Sequence, residues 1–232
     1  NSYCWIWDIY WNCIMKFIYH AGAGSENIDI DGDSFSHLKA LRLTQGKRVD
    51  IRNLKDGYSY IYEIISMDRR RASLELVFKS LIPFVEHKFE LAWAVVDPSV
   101  IEKSLPSLNE LGVGRLNLVY CEFSQRNIKL NLDRFERILI GSSQQCGRNS
   151  IMEIVVFNSI DELLAYKSDV ALIDFGGASL SGYEGKEMLF IGPEGGFSQN
   201  ERDKIGIKFA LNSPYILRSN SAIIGVASRF LI

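Results

Sequence analysis

Over residues 15–82, apolar and polar positions alternate in short runs. Lys16–His20, Lys47–Asn53, Tyr58–Ser66 and Ala72–Phe78 each read as a strand. Turn signals separate them: Lys55-Asp56-Gly57 in one place, Asp68 and the three arginines after it in another. One stretch keeps a helical period instead. Across Asp33–Leu43, the side chains of Phe35, Leu38 and Leu41 fall on one face, with Asp33 or Ser34 as N-cap. Short antiparallel strands with one helix predict a small β-barrel, and Pro83 marks its boundary.

Beyond Pro83 the period changes. The strand-like runs Phe89–Val96, Arg115–Cys121, Glu153–Phe157, Asp169–Phe175 and Glu187–Gly192 alternate with helical stretches. The helical stretches lie around Leu108–Gly112, Leu132–Gly147, Ile160–Tyr166 and Ser198–Gly206, and Ser219–Ile232 reads as a closing helix. Such alternation predicts βα units and a mainly parallel sheet buried on both faces. Periodicity alone makes it an unknotted doubly wound sheet. Residues 1–14 resemble nothing after them: they hold three of the four tryptophans and carry Asp8 in their middle. They lack the cationic start and cleavage site of a secretory signal and are too short to span a bilayer. They are read as an extension, with a functional anchor as the alternative. The domain expectation is therefore an extension (1–14), a barrel (15–82) and an α/β domain (83–232).

Composition narrows the class. The chain has 232 residues, 47% hydrophobic and 23% charged, with a net charge of −2. That balance excludes disorder and a nucleic-acid-coating tail. The four cysteines form no C-x-x-C pair, and the three histidines lack ligand spacing, so no metal and no disulfide scaffold is expected. No later segment approaches 18 uninterrupted apolar residues, which argues for the cytoplasm and against a membrane. Charge is uneven locally. Arg126, Lys129, Arg134, Arg137 and Arg148 face only Asp133 and Glu136, and Arg69–Arg71 sit on a hairpin tip. Two basic loci favour a polyanion such as RNA over a merely solvated surface.

Three segments could carry chemistry. Ile191-Gly192-Pro193-Glu194-Gly195-Gly196 follows a strand and precedes a helix opened by Ser198; its glycines let a ligand approach bare backbone, and Glu194 looks buried among them. This suits a flat neutral ring such as adenine better than phosphate, since the P-loop pattern is absent. The Rossmann fingerprint is also missing: Gly22-x-Gly24, Gly176-Gly177 and Gly182 read as loops. Second, Gln144-Gln145-Cys146-Gly147-Arg148 ends a long helix with Gly147 as C′ residue. The Arg148 fork past the helix end would bind either terminal carbonyls or an RNA phosphate or base edge. Third, in Leu217-Arg218-Ser219-Asn220-Ser221-Ala222, Ser219, Asn220 or Ser221 could cap the closing helix. No Ser-His-Asp order, paired carboxylates or Cys-His pair stands out.

With these segments in this order, the chain resembles the ribosomal RNA small subunit methyltransferase E family of the SPOUT superfamily. The likeness runs from Met15 to Ile232. It includes His37-Leu38 to Leu41-Arg42, Glu110-Leu111-Gly112-Val113, Gln145-Cys146-Gly147-Arg148, Gly192–Gly196 and Leu217-Arg218. The resemblance implies a PUA-like barrel for RNA binding, followed by an α/β domain with a C-terminal trefoil knot. It implies S-adenosylmethionine held among Phe175, Ile191, Gly192, Pro193, Glu194, Gly195, Gly196, Leu211, Ile216, Leu217, Arg218, Ser219, Ser221 and Ala222. It further implies a homodimer and methylation at N3 of a uridine in 16S rRNA of the small ribosomal subunit.

Uracil N3 carries a proton and is a poor nucleophile, so a catalyst must favour its anion and hold it in line with the methyl. Positioning supplies about 7 kcal/mol in favourable systems. Arg148 could stabilise charge on the uracil oxygens, which makes it the leading catalytic residue. Glu194 follows as loop architecture or a cofactor contact. Arg42, Arg126, Arg148 and Arg218 are the substrate-binding candidates. Asn220 stands where the family usually has a carboxylate, and Pro106-Ser107 where it usually has Gln-Lys; Pro106 suggests that a helix starts near it, at N1. Asn220 motivates the alternative, a non-catalytic RNA-binding or ribosome-assembly protein that keeps the fold.

Overall fold

The computed structural model describes residues 17–83, 85–125 and 128–232. The expected extension 1–14, Met15 and Arg126 lie outside the described residues. Contacts divide the chain into two units, one formed by residues up to 85 with 140–151, the other by 86–139 with 152–232.

The first unit is built on a five-stranded sheet of order β1-β3-β4-β5-β2. Its strands are β1 (Ile18–Tyr19), β2 (Asn27–Ile30), β3 (Arg48–Arg52), β4 (Tyr58–Met67) and β5 (Ala72–Leu81). β1 runs parallel to β3, and the other pairs are antiparallel. Two register shifts between β4 and β5 mark bulges, which bend and coil a sheet. The four predicted runs form strands here, and both predicted turns separate them. β2 escaped the sequence reading because its alternation, with only Ile28 and Ile30 inward, is four residues long. Ile30, Leu38, Ile51, Tyr62 and Ile64 are fully buried in the core. Helix α1 (Gly32–Ala40) buries Phe35 and Leu38 as its period dictates. Its N-cap is Asp31, not Asp33 or Ser34, and the cap makes no side-chain bond. Ser34 is occupied elsewhere: its hydroxyl donates to the Tyr19 carbonyl at 2.8 Å.

The second unit carries a six-stranded sheet of order β11-β9-β10-β6-β7-β8 in which every neighbouring pair is parallel. The strands are β6 (Glu90–Ala94), β7 (Arg115–Val119), β8 (Glu153–Phe157), β9 (Val170–Ser179), β10 (Met188–Ile191) and β11 (Lys208–Ala210). Helices α2 (Pro98–Leu111), α3 (Leu132–Cys146), α4 (Ile160–Tyr166), α5 (Gln199–Ile205) and α6 (Ser219–Leu231) connect or follow them. The division between units falls inside α3, whose residues from Ile140 on belong with the first. Leu91, Ala92, Trp93 and Ala94 of β6 and all of β10 are buried, as expected of parallel strands covered on both faces.

Two local expectations are corrected. Pro106 does not open α2. The helix starts at Pro98, capped by Asp97, and Pro106 sits inside it, where its ring removes one amide from the ladder. Gly176-Gly177 are not loop but part of β9, which runs ten residues. The glycine is needed because a Cβ on Gly177 would lie 2.7 Å from the Lys208 carbonyl oxygen of the neighbouring strand, where the β9–β11 register shifts. Gly114 is tighter still, since a Cβ there would collide with the backbone carbonyl of His87. Gly114→Ala is expected to cost about 1–3 kcal/mol of stability through overpacking. Urea denaturation of the variant checks this; an unchanged midpoint would refute the close approach.

Candidate functional site

A cavity of about 290 Å³ opens in the second unit beside the middle of β9 and the carboxyl end of β10. Three chain segments make it: Ile173–Phe175, Ile191–Phe197, and parts of Ala210–Ala222, with Arg202 of α5 as a further wall. Of the residues expected at a cofactor site, Phe175, Ile191, Gly192, Pro193, Glu194, Gly195, Gly196, Leu211, Ile216, Leu217, Ser219 and Ala222 line it. Arg218 and Ser221 do not; both are exposed, Arg218 being the residue that precedes α6. Glu194 is exposed rather than buried, because its turn is held through backbone and not through its carboxylate.

The turn closes by a 2.9 Å bond from the Gly196 amide to the Pro193 carbonyl, and Gly196 takes φ +72°, a left-handed conformation that a side chain would strain. A Cβ on Gly192 would meet the Phe197 ring at 3.0 Å, and that ring is itself buried against Phe190. On the far side, Ser198 and Glu201 form a reciprocal capping box at the start of α5. The other oxygen of Glu201 accepts from the Glu122 amide at 2.7 Å, which ties the Cys121–Ser124 turn to the same helix.

One hydroxyl joins the walls. Ser219 Oγ donates to the Gly192 carbonyl at 2.5 Å and accepts from the indole Nε1 of Trp93 at 2.7 Å. Trp93 is fully buried and Ser219 nearly so. Ser219 is therefore the first residue of α6 and not its cap; its side chain is spent on the neighbouring loop, and the N-cap residue Arg218 makes no side-chain bond.

Ser213 and Tyr215, inside the expected segment 211–222 but not singled out in it, also line the cavity, and sequence reasoning missed Ile173, Asp174, Phe197, Arg202 and Ala210. Asp174 carried a readable signal, a lone acid inside an otherwise apolar strand. Its carboxylate is 6% exposed and accepts from Arg202 Nε at 2.6 Å. That bond holds the Arg202 guanidinium above its ordinary pKa. The rim is apolar yet open to solvent: Phe175 is 70% exposed, Tyr215 79% and Ile216 82%. Single exposed apolar residues are ordinary, but several bulky ones around one mouth form an exposed apolar patch.

Arg148 lies in the first unit's group of residues, after α3, and its Nε donates to Ser150 Oγ at 3.1 Å. Gly147 takes φ +84° and donates to the Ser143 carbonyl, the helix-ending geometry expected of it. Burial pushes the Arg148 guanidinium down to about 10, so it stays cationic at neutral pH with part of its hydration stripped. Arg42 is exposed at the end of α1 with φ 56°, a rare backbone for a non-glycine residue. Of the basic cluster, Arg134 is paired with Glu102 at 2.7 Å. Among the described residues no group of His, Cys, Asp or Glu could hold a metal, and no helix is long and apolar enough to cross a membrane.

The pattern of the RNA methyltransferase domain family matches residues 85–231, and that of the RNA methyltransferase PUA domain matches residues 30–77. These matches define the class: an α/β RNA methyltransferase domain preceded by a PUA-like sheet. Ribosomal RNA small subunit methyltransferase E of Helicobacter pylori (strain ATCC 700392 / 26695) is 40% identical over 222 residues, covering 92% of this chain and 98% of that protein. The enzyme of the same name from Aquifex aeolicus is 25% identical, covering 83% and 88%. The chain belongs to the ribosomal RNA small subunit methyltransferase E family. A solved structure of that methyltransferase from Neisseria gonorrhoeae, bound to S-adenosyl methionine, superposes with a TM-score of 0.76 at 20% identity, covering 93% of this chain and 96% of that one. A Legionella pneumophila chain in complex with SAM gives 0.77 at 23% identity, covering 91% and 95%.

Ser219→Ala is expected to destabilise the protein by about 1–3 kcal/mol, because it leaves the buried Trp93 indole without an acceptor. Ser219→Thr, which restores a hydroxyl, should recover most of the loss. Thermal denaturation of both variants checks the pair; equal losses in the two would contradict the role given to the hydroxyl.

Proposed function

We propose that the protein is an S-adenosylmethionine-dependent methyltransferase acting on N3 of a uridine in 16S rRNA of the small ribosomal subunit. One observation carries the reading: a small, largely apolar cavity walled by bare backbone at Gly192–Gly196 and latched by Ser219. Among the described residues that line it, the one cation, Arg202, is already paired with Asp174. Such a pocket fits an uncharged purine better than a polyphosphate, and its volume is at the small end of ligand sites, which start near 300 Å³. The relatives named ribosomal RNA small subunit methyltransferase E support methyl transfer to small-subunit rRNA. The residues therefore fit S-adenosylmethionine: Phe175, Ile191–Gly196, Leu211, Ile216, Leu217, Ser219 and Ala222 would hold it. Bound there, the cofactor supplies an electrophilic methyl on a sulfonium.

The chain's own work is on the other reactant. Loss of the N3 proton spreads negative charge over the uracil oxygens, and Arg148 presents a planar fork of donors to such charge. A guanidinium already stripped of part of its water forfeits less hydration on meeting an anion, which strengthens the interaction. Arg148 loses its proton only as pH rises through about 10, so its contribution is complete at neutral pH. Arg42 and Arg126 serve as RNA contacts, and Glu194, exposed at the cavity, as a cofactor contact.

The working organisation is an extension (1–14), an RNA-binding barrel (15–82) and a methyltransferase domain (83–232) whose carboxyl-terminal segments thread a trefoil knot. The protein works as a homodimer in the cytoplasm; the exposed Phe175, Tyr215 and Ile216 beside the cavity support a covering partner.

Mass spectrometry of 16S rRNA from cells with and without the protein tests the reaction: N3-methyluridine is expected only with it, and identical rRNA in both would refute the assignment. Arg148→Lys is expected to lower kcat by about 10²-fold while leaving the cofactor Kd unchanged, since a point charge replaces a fork. Steady-state kinetics on small-subunit particles read this, and an unchanged kcat would remove Arg148 from the chemistry. Gly195→Leu should weaken cofactor binding by at least about tenfold by pressing on Phe123, which a Cβ there would meet at 3.4 Å, and so displacing the turn that walls the cavity, as isothermal titration would measure. Wild-type affinity would refute the loop assignment.

A further inference from the structure

Two motifs that lie 107 positions apart in sequence meet at one atom. Gln144 Oε1 accepts from the Tyr19 amide at 2.7 Å, and His37 Nδ1 lies 3.3 Å from the same oxygen. An amide oxygen cannot donate, so His37 carries its proton on Nδ1. Tyr19 is fixed from its other side as well, by the Ser34 hydroxyl on its carbonyl. From Gln144 the connection runs on. Ser143, its neighbour, accepts from the Gly147 amide at 2.9 Å and donates through its hydroxyl to the Ser150 carbonyl at 2.8 Å. Ser150 Oγ in turn accepts from Arg148 Nε. An unbroken set of bonds thus leads from α1 and β1 of the barrel to the Arg148 turn, all within the first unit.

We propose that His37 and Gln144 are positioning residues for Arg148: through Gln144 Oε1 the RNA-binding barrel sets where the guanidinium stands. The inference rests on the methyltransferase reading above. A side-chain amide is suited to the task because its oxygen takes two donors at once, and a leucine of similar volume takes none. The coupling makes the Arg148 turn part of the RNA-binding body instead of a free loop, so a substrate seated on the barrel meets a fork already in place.

The test is a double-mutant cycle between Gln144→Leu and Arg148→Lys, with methyl transfer to small-subunit particles as the readout. Gln144→Leu is expected to lower kcat by about tenfold or more with an unchanged cofactor Kd. Gln144→Glu, which keeps the acceptor oxygen, is expected to stay within about threefold of wild type. In the Arg148→Lys background, Gln144→Leu should cost little more. Losses that multiply independently, or a Gln144→Glu variant as poor as Gln144→Leu, overturn the proposal and leave the two residues merely structural. Hydrogen exchange of the amides in 147–150 gives a second readout: faster exchange in Gln144→Leu and His37→Ala but not in Gln144→Glu is expected, and unchanged exchange in all three overturns it. Failure of the wild type to transfer methyl groups is a different outcome, which overturns the enzymatic reading itself.

Discussion

The Ser219 hydroxyl is the interaction on which the cavity depends. It stands between a buried tryptophan in the centre of the parallel sheet and the first carbonyl after β10, and it joins them with bonds of 2.7 and 2.5 Å. Neither partner has an easy substitute. The Trp93 indole is fully buried, and an unpaired buried donor costs about 1–3 kcal/mol. The Gly192 carbonyl begins the turn that forms one wall. Because Ser219 also opens α6, one side chain fixes the closing helix, the glycine turn and the sheet relative to one another. The capping box at Ser198 and Glu201 does the same for the other end of the turn. Preorganised backbone of this kind binds without first having to be ordered, the usual route to affinity in a small pocket.

Most of the fold was legible because its elements obey simple periods. The barrel strands alternate, the sheet strands are continuous apolar runs, and α6 shows one buried face with Ile223, Val226 and Ala227 inward. The failures have physical causes. β2 and β11 are four and three residues long, too short for a period to emerge. Pro106 carries a start signal, but Asp97 and Pro98, nine and eight residues earlier, carry a better one. Gly177 in β9 reads as loop in the sequence because its reason, a backbone carbonyl on the next strand, is a tertiary fact.

The candidate site was legible in part for the same reason. The glycine run announces itself, and so does the Arg148 turn, because glycine and proline leave few alternatives. Arg202 reaches the cavity through folding alone, whereas Asp174 shows in the sequence only as an acid inside an apolar strand. The Glu194 carboxylate illustrates the reverse error: flanking glycines suggested burial, whereas a turn held by a backbone bond from Gly196 to Pro193 leaves the intervening side chain in water. Nor did the primary structure hint that the histidine of one motif and the glutamine of another share an acceptor oxygen, since hydrogen bonding between them needs both elements folded.

The central claim is that the Ser219-latched cavity receives the methyl donor. A crystal structure of the protein with S-adenosylmethionine or its demethylated product tests this most directly. The account predicts the purine against the backbone of Gly192–Gly196 with Trp93, Ser219 and Gly192 still bonded. Density for the ligand elsewhere, or a cavity collapsed around a broken Ser219 bridge, would contradict it.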